Sequence, residues 1–277
     1  MKESLTLNIK GRLMDLSTPR VMGILNVTPD SFFDGSRATD VQTLEGRVGQ
    51  MLAEGADIID IGAVSTRPGA VDVDADEEMR RLDAALTVVR EHFPEAVVSI
   101  DTFRAEVAKR CIADFGVDII NDISGGADPA MYNIVSCARV PYIIMHGAEG
   151  PGAATVPASE TPTLVPDMLR FFAERINRLH DMGVTDVIID PGFGFGKTRA
   201  DNYEVMRHLA DFHVLGQPLL VGVSRKSMIW QELDITPAQA LNGTTVLNTV
   251  ALMAGAHILR VHDVRPASEA IRLLSKL

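Results

Sequence analysis

One phrase recurs along this chain and limits what it can fold into. GADIID (55–60), GVDIIN (116–121) and GAHILR (255–260) each run from a glycine through an apolar stretch to a polar residue, and GVTDVIID (183–190) is the same phrase with two residues added. A glycine that ends a helix and is followed at once by an apolar strand marks the joint of an αβ unit. Strands that are apolar throughout, rather than alternating, suit a parallel sheet covered by helices. Eight strands are expected, at 21–26, 57–62, 97–101, 117–121, 141–146, 186–190, 218–223 and 257–261. Helical periods lie between them, such as Val41, Leu44, Val48, Met51 and Leu52, or Phe172, Ile176 and Leu179 ending at Gly183. The phrase falls before every second strand, which favours a closed ring of equivalent units. Eight βα units in about 250 residues is the size of a TIM barrel. The expected class is therefore α/β, a single (β/α)8 TIM barrel, with an open doubly wound sheet as the alternative.

The first residues, MKESLTLNIKGRLMDLS, alternate at Leu5, Leu7 and Ile9 and form no continuous apolar core. They read as a short N-terminal β-hairpin turning near Lys10 and Gly11, not as a secretory signal, and imply a cytoplasmic protein. Residues 1–20 are thus the hairpin and 21–277 the barrel of one domain, since no linker or low-complexity stretch divides the chain. No apolar run approaches the roughly 20 residues of a membrane span. The net charge of −11 argues against broad attraction to nucleic acid or anionic lipid, so any anionic ligand needs a local cluster of cations. Cys111 and Cys137 lack metal-type spacing and are expected to be buried, inert thiols.

In a barrel of this kind the active site lies at the C-terminal ends of the strands. The residues closing the apolar runs are Asn26, Asp60, Asp101, Asn121 with Asp122, His146, Asp190, then Ser224, Arg225 and Lys226, and finally Arg260 and His262. Polar residues also stand there simply because loops begin, but eight such ends converging on one rim form a set. Asp101, Asn121 and Asp190 suit the edge of a flat nitrogen heterocycle, where a carboxylate matches paired N–H donors. Arg67, Arg225, Lys226, Arg260 and His262 form a cationic group in an acidic protein. One ligand with a heterocyclic end and an anionic end satisfies both. DPGFGFGKT (190–198) fits neither nucleotide template, because Pro191 stands where the phosphate loop needs glycine and Lys197 where the dinucleotide fingerprint needs it. It is either a turn close to a ligand, with Phe195 as an aromatic wall, or a flexible turn before a helix starting near Asp201.

Taken together, MGILNVTPDSF (22–32), STRPG (65–69), SIDT (99–102), IINDISGG (119–126), Met145-His146, DPGFGFGK (190–197), SRKS (224–227) and RVHDV (260–264) resemble the dihydropteroate synthases, in order and over essentially the whole chain. The resemblance implies a pterin-binding TIM-barrel transferase of folate synthesis, a homodimer and sulfonamide target. Such an enzyme joins 6-hydroxymethyl-7,8-dihydropterin diphosphate to 4-aminobenzoate, releasing diphosphate with Mg²⁺. Carried over by position, it implies pterin contacts from Asp101, Asn121, Met145, Asp190, Phe195, Gly222 and Lys226, and diphosphate contacts from Asn26, Thr66, Arg67, Arg260 and His262. Asn26 is also the implied Mg²⁺ ligand, while Phe32, Phe33, Pro68, Phe195 and Ser227 are implied for the 4-aminobenzoate pocket. Asp101, Lys226 and Arg260 are the implied catalytic residues. Helices 243–255 and 266–276 are the implied dimer contact.

The chain departs from the family pattern in loops: Phe33 replaces a small polar residue, Ser36 a glycine, and Ala63-Val64 a Gly-Glu pair, and GAEGPGAATVPASE (147–160) is atypical. These departures bear on drug affinity more than on the pterin site. Two rivals share the fold, a methyltetrahydrofolate-binding corrinoid methyltransferase domain and a non-catalytic pterin-binding module. STRPG with Lys226, Arg260 and His262 weighs against the first, and intact Asn26, Asp101 and Lys226 against the second.

Overall fold

Strands that are apolar on both faces require cover on both faces, and the computed structural model, which describes residues 5–28, 37–64, 73–147 and 163–277, supplies it. Eight parallel strands form the ring: β3 (Arg20–Asn26), β4 (Ile58–Gly62), β5 (Val97–Asp101), β6 (Ile119–Asp122), β7 (Tyr142–Met145), β8 (Val187–Asp190), β9 (Leu220–Val221) and β10 (Ile258–Val261). They pair in the order β8-β7-β6-β5-β4-β3-β10-β9, and a bridge between Ile189 and Leu219 joins the two ends. The ring is closed, so the open sheet is excluded. The seventh barrel strand, β9, is shorter than the expected 218–223. Pro218 lacks an N–H for the ladder, and Val223 already accepts the Lys226 N–H in the following turn.

Around the ring lie helices α1 (Arg37–Ala53), α2 (Ala75–His92), α3 (Ala105–Phe115), α4 (Pro129–Ala138), α5 (Leu164–Asp181), α6 (Arg199–Arg207), α7 (Ser227–Trp230), α8 (Leu241–Met253) and α9 (Val264–Leu274). Gly116 shows how the recurring phrase works: at φ +54 its N–H reaches back to Cys111 and Ile112 carbonyls, ending α3 and turning the chain into β6. Among the described residues no helix is long and apolar enough to cross a membrane.

The hairpin closes the other end of the ring. β1 (Thr6–Ile9) and β2 (Arg12–Asp15) pair antiparallel across Lys10 and Gly11, at φ +50 and +84. Lys10 is held in this left-handed position by its ammonium, which bonds the Gly116 carbonyl and lies 2.7 Å from Asp118. Leu7, Ile9 and Leu16 then pack under Met22, Ile58, Ile119 and Ile143, so the N-terminal half of the barrel is an apolar plug.

One expectation about cysteine fails. Cys111 is buried against Met79, and burial pushes its thiol up to about 12, but Cys137 is exposed. Helix α4 turns Met131, Tyr132 and Val135 inward, and position 137 falls on the opposite face.

Candidate active site

Side chains alternate across a strand, so each barrel strand sends every second residue inward. Above the apolar plug, that series brings Asn26, Asp60, Ser99, Asp101, Asn121, Met145, Asp190, Gly222 and Arg260 to the inner surface. The ladder keeps them level: Asp60 registers with Ser99, Gly62 with Asp101, and Asp101 with Asn121.

The carboxylates and cations meet there. Arg260 donates from Nε to Asp60 Oδ2 at 2.7 Å and from Nη2 to Asp101 Oδ2 at 2.6 Å. Asn121 Nδ2 donates to the same Asp60 oxygen at 3.2 Å. Lys226 donates to the Phe193 carbonyl, and its ammonium stands 4.7 Å from the centre of the Phe195 ring. Gly222 separates the two cations, since a β-carbon there would stand 3.7 Å from Arg260 Cβ and 3.9 Å from Lys226 Nζ. Gly62 is matched on the other side, where Asn26 Oδ1 and Asp101 Oδ2 each lie 3.7 Å from the point a β-carbon would occupy.

Burial governs the charges. It pushes the Asp101 carboxyl up to about 7, with Arg260 pulling the other way and Asp60, Glu78 and Asp122 adding to the rise. It raises Asp190 too, against the opposing pull of Lys226. Lys226 is brought down to about 8 by burial, although Asp190 favours its charged form. Arg260 is also buried, but Asp60 and Asp101 outweigh that and hold its pKa above the usual value. His262, whose Nδ1 lies 3.1 Å from Ser224 Oγ, is brought down to about 4 by burial and the nearby Arg260. At neutral pH it offers a hydrogen bond rather than a positive charge.

The glycine-rich loop is tied to the rim by its own hydrogen bonds. Gly192 has φ +68, and a β-carbon there would stand 2.0 Å from the His146 carbonyl oxygen. The Asp190 carboxylate accepts the Gly192 N–H at 2.8 Å. Lys197 Nζ donates to three backbone carbonyls, of His146 at 2.9 Å, Gly192 at 3.1 Å and Phe195 at 3.2 Å. Asn202 takes the Gly194 N–H at 2.7 Å, and Thr198 and Asp201 form a capping box that starts α6 at Arg199. In the sequence Lys197 stands out only as a misfit to a nucleotide template. A lysine closing a loop of alternating glycines, where carbonyls lack ladder partners, was the available signal.

Three residues of the sequence-derived rim point elsewhere. Asp122 and His146 follow the outward parity of their strands. Asp122 accepts bonds from Tyr142 Oη at 2.5 Å and Ser124 Oγ at 2.6 Å, which shape the loop after β6. The His146 ring packs edge-on against Phe171 of α5 at 4.9 Å, and burial brings it down to about 3. Arg225 is paired with Asp263 through two bonds of 2.8 Å and so leaves the cationic group. Ser227 opens α7 beside Lys226 and is half-buried. Phe32, Phe33, Thr66, Arg67 and Pro68 lie outside the described residues.

The sequence profile of a family described as "Pterin binding enzyme" matches residues 22–262. The dihydropteroate synthase of Escherichia coli (strain K12) is 40% identical over 267 residues, covering 96% of this chain and 94% of its own length. That of Bacillus subtilis (strain 168) is 37% identical over 260 residues, covering 93% of this chain and 88% of its own. Among solved structures, the Yersinia pestis dihydropteroate synthase in a sulfonamide complex superposes with a TM-score of 0.88 at 38% identity, covering 98% of both chains. The Xanthomonas albilineans dihydropteroate synthase with 4-aminobenzoic acid also gives 0.88 at 38% identity, over 99% of this chain and 98% of that one. The match runs from the first barrel strand to the residue after the last one, over 22–262, so this chain belongs to the pterin-binding enzyme family.

Proposed function

We infer that this protein catalyses dihydropteroate synthesis, condensing 6-hydroxymethyl-7,8-dihydropterin diphosphate with 4-aminobenzoate to give 7,8-dihydropteroate and diphosphate. The observation that carries this reading is the single inner rim on which Asp101, Asn121 and Asp190 face Arg260 and Lys226. Relatives that are 37–40% identical over nearly their full length are dihydropteroate synthases.

Asp101 and Asp190 accept the ring and amino N–H groups of the pterin, Asn121 adds an amide, and Lys226 donates to the ring. Met145 and Phe195 form apolar walls for the flat bicycle, and Gly222 leaves the space it needs. Arg260 and His262, with Thr66 and Arg67 of the second loop, hold the diphosphate. The C–O bond at the pterin methylene is largely broken before the amine attacks, so charge develops at both ends. Arg260 receives the departing anion, and Asp101 stabilises the cation through the ring nitrogens. An aryl amine needs no strong base, and none is assigned. Phe32, Phe33, Pro68 and Ser227, with Phe195, form the 4-aminobenzoate pocket.

Asn26 fits the Mg²⁺ of such a reaction. Its Oδ1 is a neutral oxygen on the inner rim, 3.7 Å from where a β-carbon on Gly62 would stand, and Mg²⁺ takes few protein ligands while keeping waters and phosphate oxygens. Bound there with the diphosphate, the ion supplies charge neutralisation of the leaving group. The test is release of diphosphate from the pterin diphosphate with and without 4-aminobenzoate. Release that requires 4-aminobenzoate and yields dihydropteroate is expected, and no release under either condition overturns the reading.

The protein acts in the cytoplasm as a homodimer through α8 and α9. Val246, Val250 and Met253 repeat at helical spacing on the exposed side of α8, and Leu273 and Leu277 at the end of the chain are exposed as well. A second copy is the occupant that fits this apolar face. Sedimentation at micromolar concentration is expected to show a dimer, and Val246→Glu with Met253→Glu a monomer. A monomeric unsubstituted protein removes the proposal.

A further inference from the structure

Asp60 stands among the strand ends, and the reaction described above gives it no role. It is fully buried on β4, one level below Asp101. One oxygen, Oδ2, receives both Arg260 Nε and Asn121 Nδ2, while Oδ1 has no hydrogen-bond partner among the described residues. Ser99 Oγ, on the residue in register with it, is likewise buried without a partner. A buried carboxylate with an unsatisfied oxygen is an expensive way to fill space, and well-packed apolar side chains often replace buried ion pairs without loss of stability. Its value lies in what it orients.

We propose that Asp60 is a positioning residue for this reaction, holding the Asn121 amide and the Arg260 guanidinium in the orientations in which they meet the pterin diphosphate. The inference rests on the dihydropteroate synthesis proposed above. Its chemistry is simple. Asp60 Oδ2 accepts from Asn121 Nδ2, so the amide nitrogen faces Asp60 and the amide oxygen is left for the ligand. Asn121 is therefore an acceptor toward the pterin and selects a ring edge that presents an N–H. Arg260 is bound at Nε by Asp60 and at Nη2 by Asp101, which fixes the plane of its guanidinium. If the Asp101 contact is exchanged for a substrate N–H, the Asp60 contact still keeps Arg260 on the rim.

The test is steady-state kinetics of the full chain with Asp60→Asn and Asp60→Ser. Loosening of the fold lowers the active fraction and hence kcat, leaving both Michaelis constants unchanged. Misorientation of Asn121 and Arg260 instead raises KM for the pterin diphosphate, by about tenfold, and leaves KM for 4-aminobenzoate within about twofold. Combined with Asn121→Ala, Asp60→Asn should raise the pterin KM by less than the product of the two single effects, because part of its action passes through Asn121. Folded variants with both Michaelis constants unchanged, or a full product in the double variant, overturn the proposal. Should both Asp60 variants fail to fold, the unsubstituted protein carries the test through ¹⁵N spectroscopy. One Asn121 side-chain amide proton is expected to exchange much more slowly than a free amide, and free exchange of both overturns the proposal. An unsubstituted protein that makes no dihydropteroate removes the underlying reading, whereas an active one insensitive to Asp60 removes only this inference.

Discussion

Asp101→Asn is expected to lower turnover by about a hundredfold or more, equivalent to roughly 3–4 kcal/mol of lost transition-state stabilisation. The substitution keeps the shape and one acceptor oxygen but removes the charge that, in the proposed reaction, faces a developing pterin cation. It also removes one of the two carboxylates that hold Arg260. A pH profile separates charge from shape. Burial among Asp60, Glu78 and Asp122 holds the Asp101 carboxyl near 7. Its ionised form, the one proposed to bind the pterin, is therefore lost as pH falls through that value, and kcat/KM of the unsubstituted protein should decline on the acid side. Asparagine does not titrate, so the variant should lack that decline while its plateau is depressed. Turnover near that of the unsubstituted protein would defeat the role given to Asp101.

The second large effect is structural. Gly192→Ala places a methyl group 2.0 Å from the His146 carbonyl oxygen, in a backbone that already sits at φ +68. A left-handed non-glycine residue costs about 1–2 kcal/mol, and overpacking adds about 1–3 kcal/mol. A total loss of roughly 2–5 kcal/mol in unfolding free energy should appear as a lowered denaturant midpoint. The carbonyl that must move is one of the three that Lys197 gathers, so Phe195 is displaced with it. Pterin affinity should therefore fall along with stability. A stability loss below about 0.5 kcal/mol would show that the loop has room the close approach denies.

Much of this protein was legible in its residues, and the failures have identifiable causes. The alternation at Leu7 and Ile9 revealed the hairpin, but its function as the plug under Met22 and Ile58 emerges only when the ring closes. Asp122 and His146 were grouped with Asn121 and Asp190 because all end apolar runs. Counting by twos along each strand would have separated them, since Tyr142 and Ile144 share the parity of His146 and pack toward the helices. Arg225 could not be removed that way. Its partner Asp263 is 38 residues distant in the chain, and only folding brings the two together. Cys137 runs against the usual burial of its type, and helical phase explains it, since Met131, Tyr132 and Val135 take the inward face of α4.

What the sequence determined alone is the set of local events: where helices end, where apolar strands start, and which motifs identify the family. These depend on neighbours a few residues apart, so periodicity and motif spacing record them. The tertiary structure decided the sharing of Asp60 between Asn121 and Arg260, the neutrality of His262, the stapling of the glycine loop by Lys197 and the closure of the ring at Ile189 and Leu219. Each of these depends on distance and burial between groups far apart in the chain, and such quantities exist only once the barrel has closed and excluded water from its interior.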